Sequence, residues 1–360
     1  MSRTAIERNR IEQAWQGRIS GCQLGKPVEL LSMTQGRAKL SAYLEQAGAV
    51  PLRDYVPLVE DAEGGALVGR MGRASCRGIL CRSEPDDDIT YSVLALMMLE
   101  EHGAELTTAD VARAWLRLLP AAATFTAERA AYRTLLSRAS EHFCFGSEPG
   151  FDLAECADNP YSDWIGAQIR ADVYGWVCPG RPELAAQLAQ QDAALSHRED
   201  GIHGAVFVAA LGAAIPVAKS LDAAVDVAAH QIPQDSGAAD AVAFGRSIVG
   251  HSDAVDRLHA RYADVSPVHT LNNLALVVWS LLSGAGDFSA AIGDAVAAGW
   301  DTDCNGATVG ALWGLSGDSI PRHWTEPWQG RVATSLAGIG EIALADLVDR
   351  TVRVAESLAG

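Results

Sequence analysis

The feature that most constrains this chain is a set of long Ala- and Leu-rich segments, several of them apolar on nearly every face. Thr108–Leu119, Pro182–Ala194, Ala205–His230, Asn272–Leu282, Ala290–Ala298 and Glu341–Leu358 are all built from residues of high helix propensity. A helix without a polar face has to be surrounded by other helices. Period-two alternation, the mark of half-buried strands, is scarce. The expectation is an all-α protein with buried inner helices. No fixed-period repeat signals a solenoid and no low-complexity linker divides the sequence. One compact domain over residues 1–360 is therefore the simplest organisation. Gly64–Arg70, Gly146–Tyr161 and Ser316–Gly330 read as loops. Gly36–Arg82 follows no clear pattern and reads as an irregular excursion leading into a functional loop.

Charge narrows the partners. The chain carries 28 Lys+Arg against 45 Asp+Glu, a formal net charge of −17, without a basic run. Direct binding to a nucleic-acid backbone, which needs Lys and Arg to displace counterions, is not expected. A small phosphorylated ligand stays open, because a bound metal reverses local charge. The N-terminal MSRTAIERNRIEQAW lacks the apolar centre of a secretory signal. The longest apolar runs, Val93–Leu99 and Leu274–Leu282, fall short of the roughly 20 residues that span a bilayer. The chain reads as soluble and cytoplasmic, without a membrane partner. Its seven cysteines are odd in number and form no CxxC, so neither a disulfide framework nor a structural zinc site is expected.

Two acidic clusters carry the chemistry. In Glu84-Pro85-Asp86-Asp87-Asp88-Ile89-Thr90, three aspartates precede an apolar run. Pro85 suits a helix start, and aspartates there cap free N–H groups and complement the dipole. Capping accounts readily for one or two of them. Three adjacent carboxylates repel unless solvent or a cation intervenes. In Gly299-Trp300-Asp301-Thr302-Asp303-Cys304-Asn305-Gly306, Gly299 reads as the end of one helix and Asp303 as the start of the next. The D-x-D spacing lets two carboxylates converge on one point. If the two clusters meet across a helical bundle, five aspartates face one another. All-oxygen donors favour Mg²⁺, Mn²⁺ or Ca²⁺ over zinc, and two ions use five carboxylates better than one.

These residues carry a resemblance to the ADP-ribosylglycohydrolases, the family of dinitrogenase reductase-activating glycohydrolase and the ADP-ribosyl-acceptor hydrolases. It extends from about Ile11 to about Ser316. Gly17-Arg18-Ile19-Ser20-Gly21-Cys22-Gln23-Leu24-Gly25-Lys26-Pro27-Val28-Glu29 resembles the family's Gly-rich first helix and its Glu. Asp86-Asp87-Asp88-Ile89-Thr90 stands at the family's Thr-Asp-Asp-Thr. Ile165-Gly166-Ala167-Gln168-Ile169-Arg170 is similar to a small-residue loop entering an Arg-bearing helix. Ser196-His197 before Gly201-Ile202-His203-Gly204 resembles a Thr-His element. The Gly299–Asn305 block, the most specific, resembles Gly-Gly-Asp-Thr-Asp-Thr.

The resemblance implies an all-α, single-domain orthogonal helical bundle with a di-metal centre of two divalent cations, Mg²⁺ or Mn²⁺. It makes Asp87, Asp88, Asp301 and Asp303 metal ligands, with Asp303 bridging. Asp86 and Cys304 join the metal set, each where the family usually has a hydroxyl residue. A thiol is a poor partner for a hard cation, and Asp86 reads as compensation for it. Glu29, or a metal-bound aspartate, acts as general acid or base; the competing reading of Glu29 is an exposed polar residue after a turn at Lys26-Pro27. Gly166, Ala167 and Gln168 offer N–H groups to a diphosphate, or else form a helix–helix contact. His197 contacts diphosphate or ribose, or else bonds within its loop. Trp164, Tyr174 and Trp176 stack a base, or else pack in the core. Arg170 and Asp172 read as structural ion-pair partners. Cys304 as a nucleophile is disfavoured, since neighbouring aspartates oppose a thiolate.

The implied reaction is hydrolysis of the ribosyl C1″ bond of ADP-ribosylated protein side chains or ADP-ribosyl conjugates. The partner is then such a protein or a small nucleotide molecule. Two alternatives stay open: an N-glycosidase for another nucleoside or nucleotide metabolite, and a non-catalytic ligand-binding or structural relative.

Overall fold

The fold is centred on two helices whose backbones touch. In the computed structural model, which describes residues 7–359, the helix Arg8–Gly25 lies against the helix Thr302–Gly314. Gly17, Gly21 and Gly25 recur at every fourth position of the first, and Gly306, Gly310 and Gly314 at every fourth position of the second. That spacing puts each set on one face. The pairing runs antiparallel. A Cβ at Gly17 would overlap the Gly310 carbonyl, one at Gly21 the Gly306 carbonyl, and one at Gly25 the backbone of Thr302. Side chains cannot be accommodated between them, so the two axes approach as closely as backbones allow. The Thr302 hydroxyl closes the end of the contact by donating to the Gly25 carbonyl at 2.9 Å. Thus the C-terminal end of the first helix and the N-terminal end of the other meet at one place.

Further helices enclose this pair. Glu199–Ala214 is buried along nearly its whole length and packs on Pro182–Ala193. Thr270–Ser283 and Phe288–Ala298 also pack against the Thr302–Gly314 helix. The buried apolar side chains form one contiguous core from Ile11 to Ala355. Strand structure among the described residues is a single two-stranded ribbon, Arg331–Ala333 antiparallel to Glu341–Ala343, with Val332 opposite Ile342. The all-α expectation holds. No described helix is long and apolar enough to cross a membrane.

Local expectations differ in four places, the shortest being the helix Arg322–Thr325 inside Ser316–Gly330, which reads as a loop. Ala205–His230 is not one helix but two, Glu199–Ala214 and Leu221–Ala229. Pro216 lies in the break, where its missing N–H and ring oppose continuation. Ser220 then starts the second helix by accepting from the Ala223 N–H at 3.1 Å. Glu341–Leu358 begins as strand, because residues 341–343 pair with Arg331–Ala333, and helix starts only at Leu344. Gly64–Arg70, read as a loop, contains the short helix Gly65–Met71. The unassigned Gly36–Arg82 opens with the helix Arg37–Gln46.

The glycine contact predicts a position-specific penalty. Gly21→Ala, facing the Gly306 carbonyl, is expected to lower stability by about 2–3 kcal/mol in urea unfolding. Gly286→Ala, which meets open space, should stay within about 0.5 kcal/mol of the parent. Equal losses at both positions would contradict the close approach.

Candidate active site

Three chain segments converge where the central helices end. Beyond Gly25 the chain turns through Lys26 and Pro27 into the helix Glu29–Gln35, so Glu29 stands at a helix start. The helix Asp87–His102 brings the second cluster. Asp86 is its N-cap, and its Oδ1 accepts from the Asp88 N–H at 3.0 Å. Arg18 of the first helix fixes this start, donating to the Asp88 carbonyl at 2.8 Å and to Asp88 Oδ1 at 3.2 Å. The third segment is a sharp bend before the helix Thr302–Gly314. Gly299 (φ 94°) and Trp300 (φ 60°) both take left-handed conformations. That is strained for tryptophan, and the indole is held by stacking on His259 with centroids 4.3 Å apart. The bend presents Asp301 and Asp303.

The two acidic clusters, far apart in sequence, therefore form one group. Asp86, Asp88, Asp301 and Asp303 are buried; Asp87 and Glu29 are partly so. Three donor groups have their atoms within 4.8 Å of one another: Glu29–Asp301–Asp303, Asp88–Asp303–Cys304 and Cys22–Asp86–Asp88. Asp88 Oδ2, Asp301 Oδ1 and Asp303 Oδ1 are buried without a hydrogen-bond partner. Burial, reinforced by their neighbours' negative charge, pushes the carboxyls of Glu29, Asp87, Asp88 and Asp301 well above the usual range. Burial and Asp86 together push Asp303 up to about 6. Unpartnered, mutually repelling carboxylate oxygens of this kind suit a hard divalent cation. The Glu29–Asp301–Asp303 group fits best, being all oxygen.

Asp86 behaves differently. Against the penalty of burial, the Lys26 ammonium and the Asp88 N–H hold its carboxyl below the usual range. Lys26 Nζ forms an ion pair with Asp86 Oδ2. Both Asp86 oxygens are thus engaged within the protein. Burial, then Asp301, Asp88 and Asp303, push the Cys304 thiol well up, which leaves it a poor nucleophile and a poor ligand for a hard ion.

A cavity of about 650 Å³ opens over the cluster. Its floor is acidic, with Glu29, Asp86, Asp87, Asp301 and Asp303 beside Lys26. Its upper wall is largely apolar, with Met33, Met71, Phe125, Trp164, Ile165 and Val268. Of the expected substrate contacts, Gly166 reaches this wall, packed against the Glu128 carboxylate so closely that a Cβ would overlap it. The side chains of Ala167, Gln168 and His197 lie behind the wall, fully buried. His197 Nδ1 is 2.8 Å from the Ser196 hydroxyl. The loop is drawn inward by Arg170, which binds Glu128 at 2.7 Å, Asp192 at 3.0 Å and Ser196 at 2.9 Å. Those three side chains pack behind the wall, and the expected ligand contact of the Gly166–Gln168 segment is through its backbone N–H groups. Asp172 pairs with Arg18, not with Arg170. Of the three aromatics, Trp164 alone lines the cavity; Tyr174 bonds Asp192 at 3.0 Å and Trp176 packs edge-on to Trp15.

Sequence reasoning passed over Lys26, Phe125 and Glu128. Lys26 had a signal, a cation directly after the last glycine of the block and three residues before Glu29. Glu128 had none, since an acidic residue in a helix's first turn is ordinary.

The comparisons with known proteins agree with this architecture. The family model described as ADP-ribosylglycohydrolase matches residues 3–356. A solved structure titled "ADP-ribosylglycohydrolase-related protein complex" has a similar fold, with a TM-score of 0.51 and 16% identity, covering 98% of this chain and 99% of that one. No curated protein matches the sequence.

His197 supplies a pH test of the wall. Burial, then Arg170, pushes its pKa well below the usual value, so the folded protein holds it neutral. Below about pH 6.5 the unfolded chain binds a proton that the fold refuses, and stability present above that pH is lost. Between pH 7 and pH 5 the parent should lose about 2 kcal/mol more than His197→Gln in urea unfolding. Parallel profiles would show that His197 is protonated in the fold.

Proposed function

The chain belongs to the ADP-ribosylglycohydrolase family, and from that premise we propose that it hydrolyses the ribosyl C1″ bond of an ADP-ribosyl conjugate with Mg²⁺ or Mn²⁺ at the acidic floor. One observation carries the proposal: unpartnered, buried oxygens of Asp301 and Asp303 beside Glu29, open to a cavity large enough for a nucleotide-sized ligand. Glu29, Asp301 and Asp303 would hold the ion, with Asp87 and Asp88 adjoining.

A bound divalent cation would supply Lewis-acid polarisation of ribose hydroxyls and a more acidic water. The remaining work falls to the chain. Cleavage of such bonds passes through an oxocarbenium-like state, with positive charge developing at C1″. The aspartates of the floor, fixed by the glycine contact and by Arg18, place negative charge there without reorganising. Water adds its oxygen to C1″ as the bond to the leaving atom breaks, and a proton reaches the leaving group. Glu29, on the cavity lining beside Asp301 and Asp303, would take part in that proton traffic. The apolar wall excludes water above the floor and offers Trp164 and Phe125 to a base or leaving group.

A second reading has its own support. Among the described residues lining the cavity, Lys26 is the sole Lys or Arg, and it is already paired with Asp86. A diphosphate would find no uncommitted cationic side chain on that wall. This favours an uncharged nucleoside-type N-glycoside.

Metal-dependent release of ADP-ribose from ADP-ribosyl-arginine and ADP-ribosyl-serine separates the readings. Release that chelation stops, and that Asp303→Ala lowers in kcat/KM by about 10³-fold, or ~4 kcal/mol, supports the first. Turnover of nucleosides alone, with the same metal and Asp303 dependence, supports the second. Turnover of either class that is untouched by chelation would refute the metal role.

A further inference from the structure

Resting on the metal reading above, we propose that this chain binds one divalent cation, at Glu29, Asp301 and Asp303, and that the Lys26 ammonium occupies the place of the second. The resemblance alone implies two ions. The residues on the Asp86 side of the floor have a different arrangement. Lys26 directly follows the glycine contact, and its side chain is only 20% exposed. Its ammonium pairs with Asp86 Oδ2, beside Asp87 and Asp303 on the cavity lining. Asp87 and Asp303 both feel the Lys26 charge. A cation therefore already stands on the Asp86 side of the floor.

The donors point the same way. Asp86 is already neutralised, since Oδ1 takes the Asp88 N–H and Oδ2 takes the Lys26 ammonium, so an ion there would have to compete with a charge in place. Asp88 commits Oδ1 to Arg18, and only its Oδ2 stays unpartnered. The two donor groups on this side each include a thiol, Cys22 or Cys304, whereas the Glu29 group is all carboxylate. Hard divalent ions take oxygen donors and avoid thiols. A second ion on this side would also be repelled by the Lys26 charge, which already acts on Asp303. Asp303 would then serve one ion rather than bridge two.

The test is Mn²⁺ binding to the purified full chain after removal of metals, followed by electron paramagnetic resonance. The expected result is one Mn²⁺ per chain, magnetically isolated, with Lys26→Arg unchanged. Lys26→Met should take up two Mn²⁺ and give the signature of a coupled pair. Should Lys26→Met lose its fold by circular dichroism, Lys26→Met combined with Asp86→Thr removes both charges together and is expected to bind two. Two Mn²⁺ in the parent, or one in the folded Lys26→Met variants, would overturn the proposal. No Mn²⁺ in the parent would overturn the metal reading on which it rests, a result distinct from either.

Discussion

Everything at the site depends on the backbone contact between Arg8–Gly25 and Thr302–Gly314. Helix pairs spaced by side chains sit 8–10 Å apart. Here the glycines remove that spacer, and the carbonyls of Gly306 and Gly310 occupy the room where Cβ atoms would be. Because the pair is antiparallel, closest approach also fixes which ends coincide. Lys26 and Glu29 leave one helix where Asp301 and Asp303 enter the other. Neither helix start could hold a carboxylate cluster alone. The contact makes them one site, and the Thr302–Gly25 hydrogen bond locks the register at its edge.

The same geometry creates an electrostatic problem that the fold answers with buried cations. Six carboxylates at one floor are each destabilised by burial, and removing any counter-charge leaves the rest more exposed to mutual repulsion. Arg18 meets Asp88 and Asp172 from within the first helix, and Lys26 meets Asp86. Arg170 does the same for Glu128 and Asp192 in the wall. These three cations hold the outer carboxylates in place. Asp301 and Asp303 have no such partner, and their unpaired oxygens are what mark the floor as a place for an external ion.

The acidic helix starts were legible because their chemistry is local. Three aspartates after Pro85, and D-x-D after Gly299, signal capping or metal binding on residue type alone. The inner helices were legible because they lack a polar face. What escaped was set by tertiary neighbours. The break at Pro216 lay inside a run whose propensity pointed to continuous helix. Residues 341–343 became strand only because Arg331–Ala333 lay alongside. The burial of the Ala167, Gln168 and His197 side chains was not legible either, because Arg170 anchors their surroundings through distant partners. Glu128 carried no signal, because its role comes from Gly166, a residue with no side chain to oppose it.

Asp86 and Lys26 make sense as a unit. Where the family usually has a hydroxyl residue, this chain has a carboxylate, and the added negative charge is cancelled by the Lys26 ammonium, just past the end of the Gly-rich helix. The pair is neutral overall, so it leaves the charge balance at Asp301 and Asp303 as it would be with a hydroxyl. What changes is the kind of cation facing Asp303. An ammonium group donates up to three hydrogen bonds but cannot act as a Lewis acid or acidify water as a metal ion does. Under the proposed function it would orient ribose hydroxyls, and polarisation would fall to an ion held by Glu29, Asp301 and Asp303. It also sits under an apolar wall with no other lysine or arginine among its described lining residues.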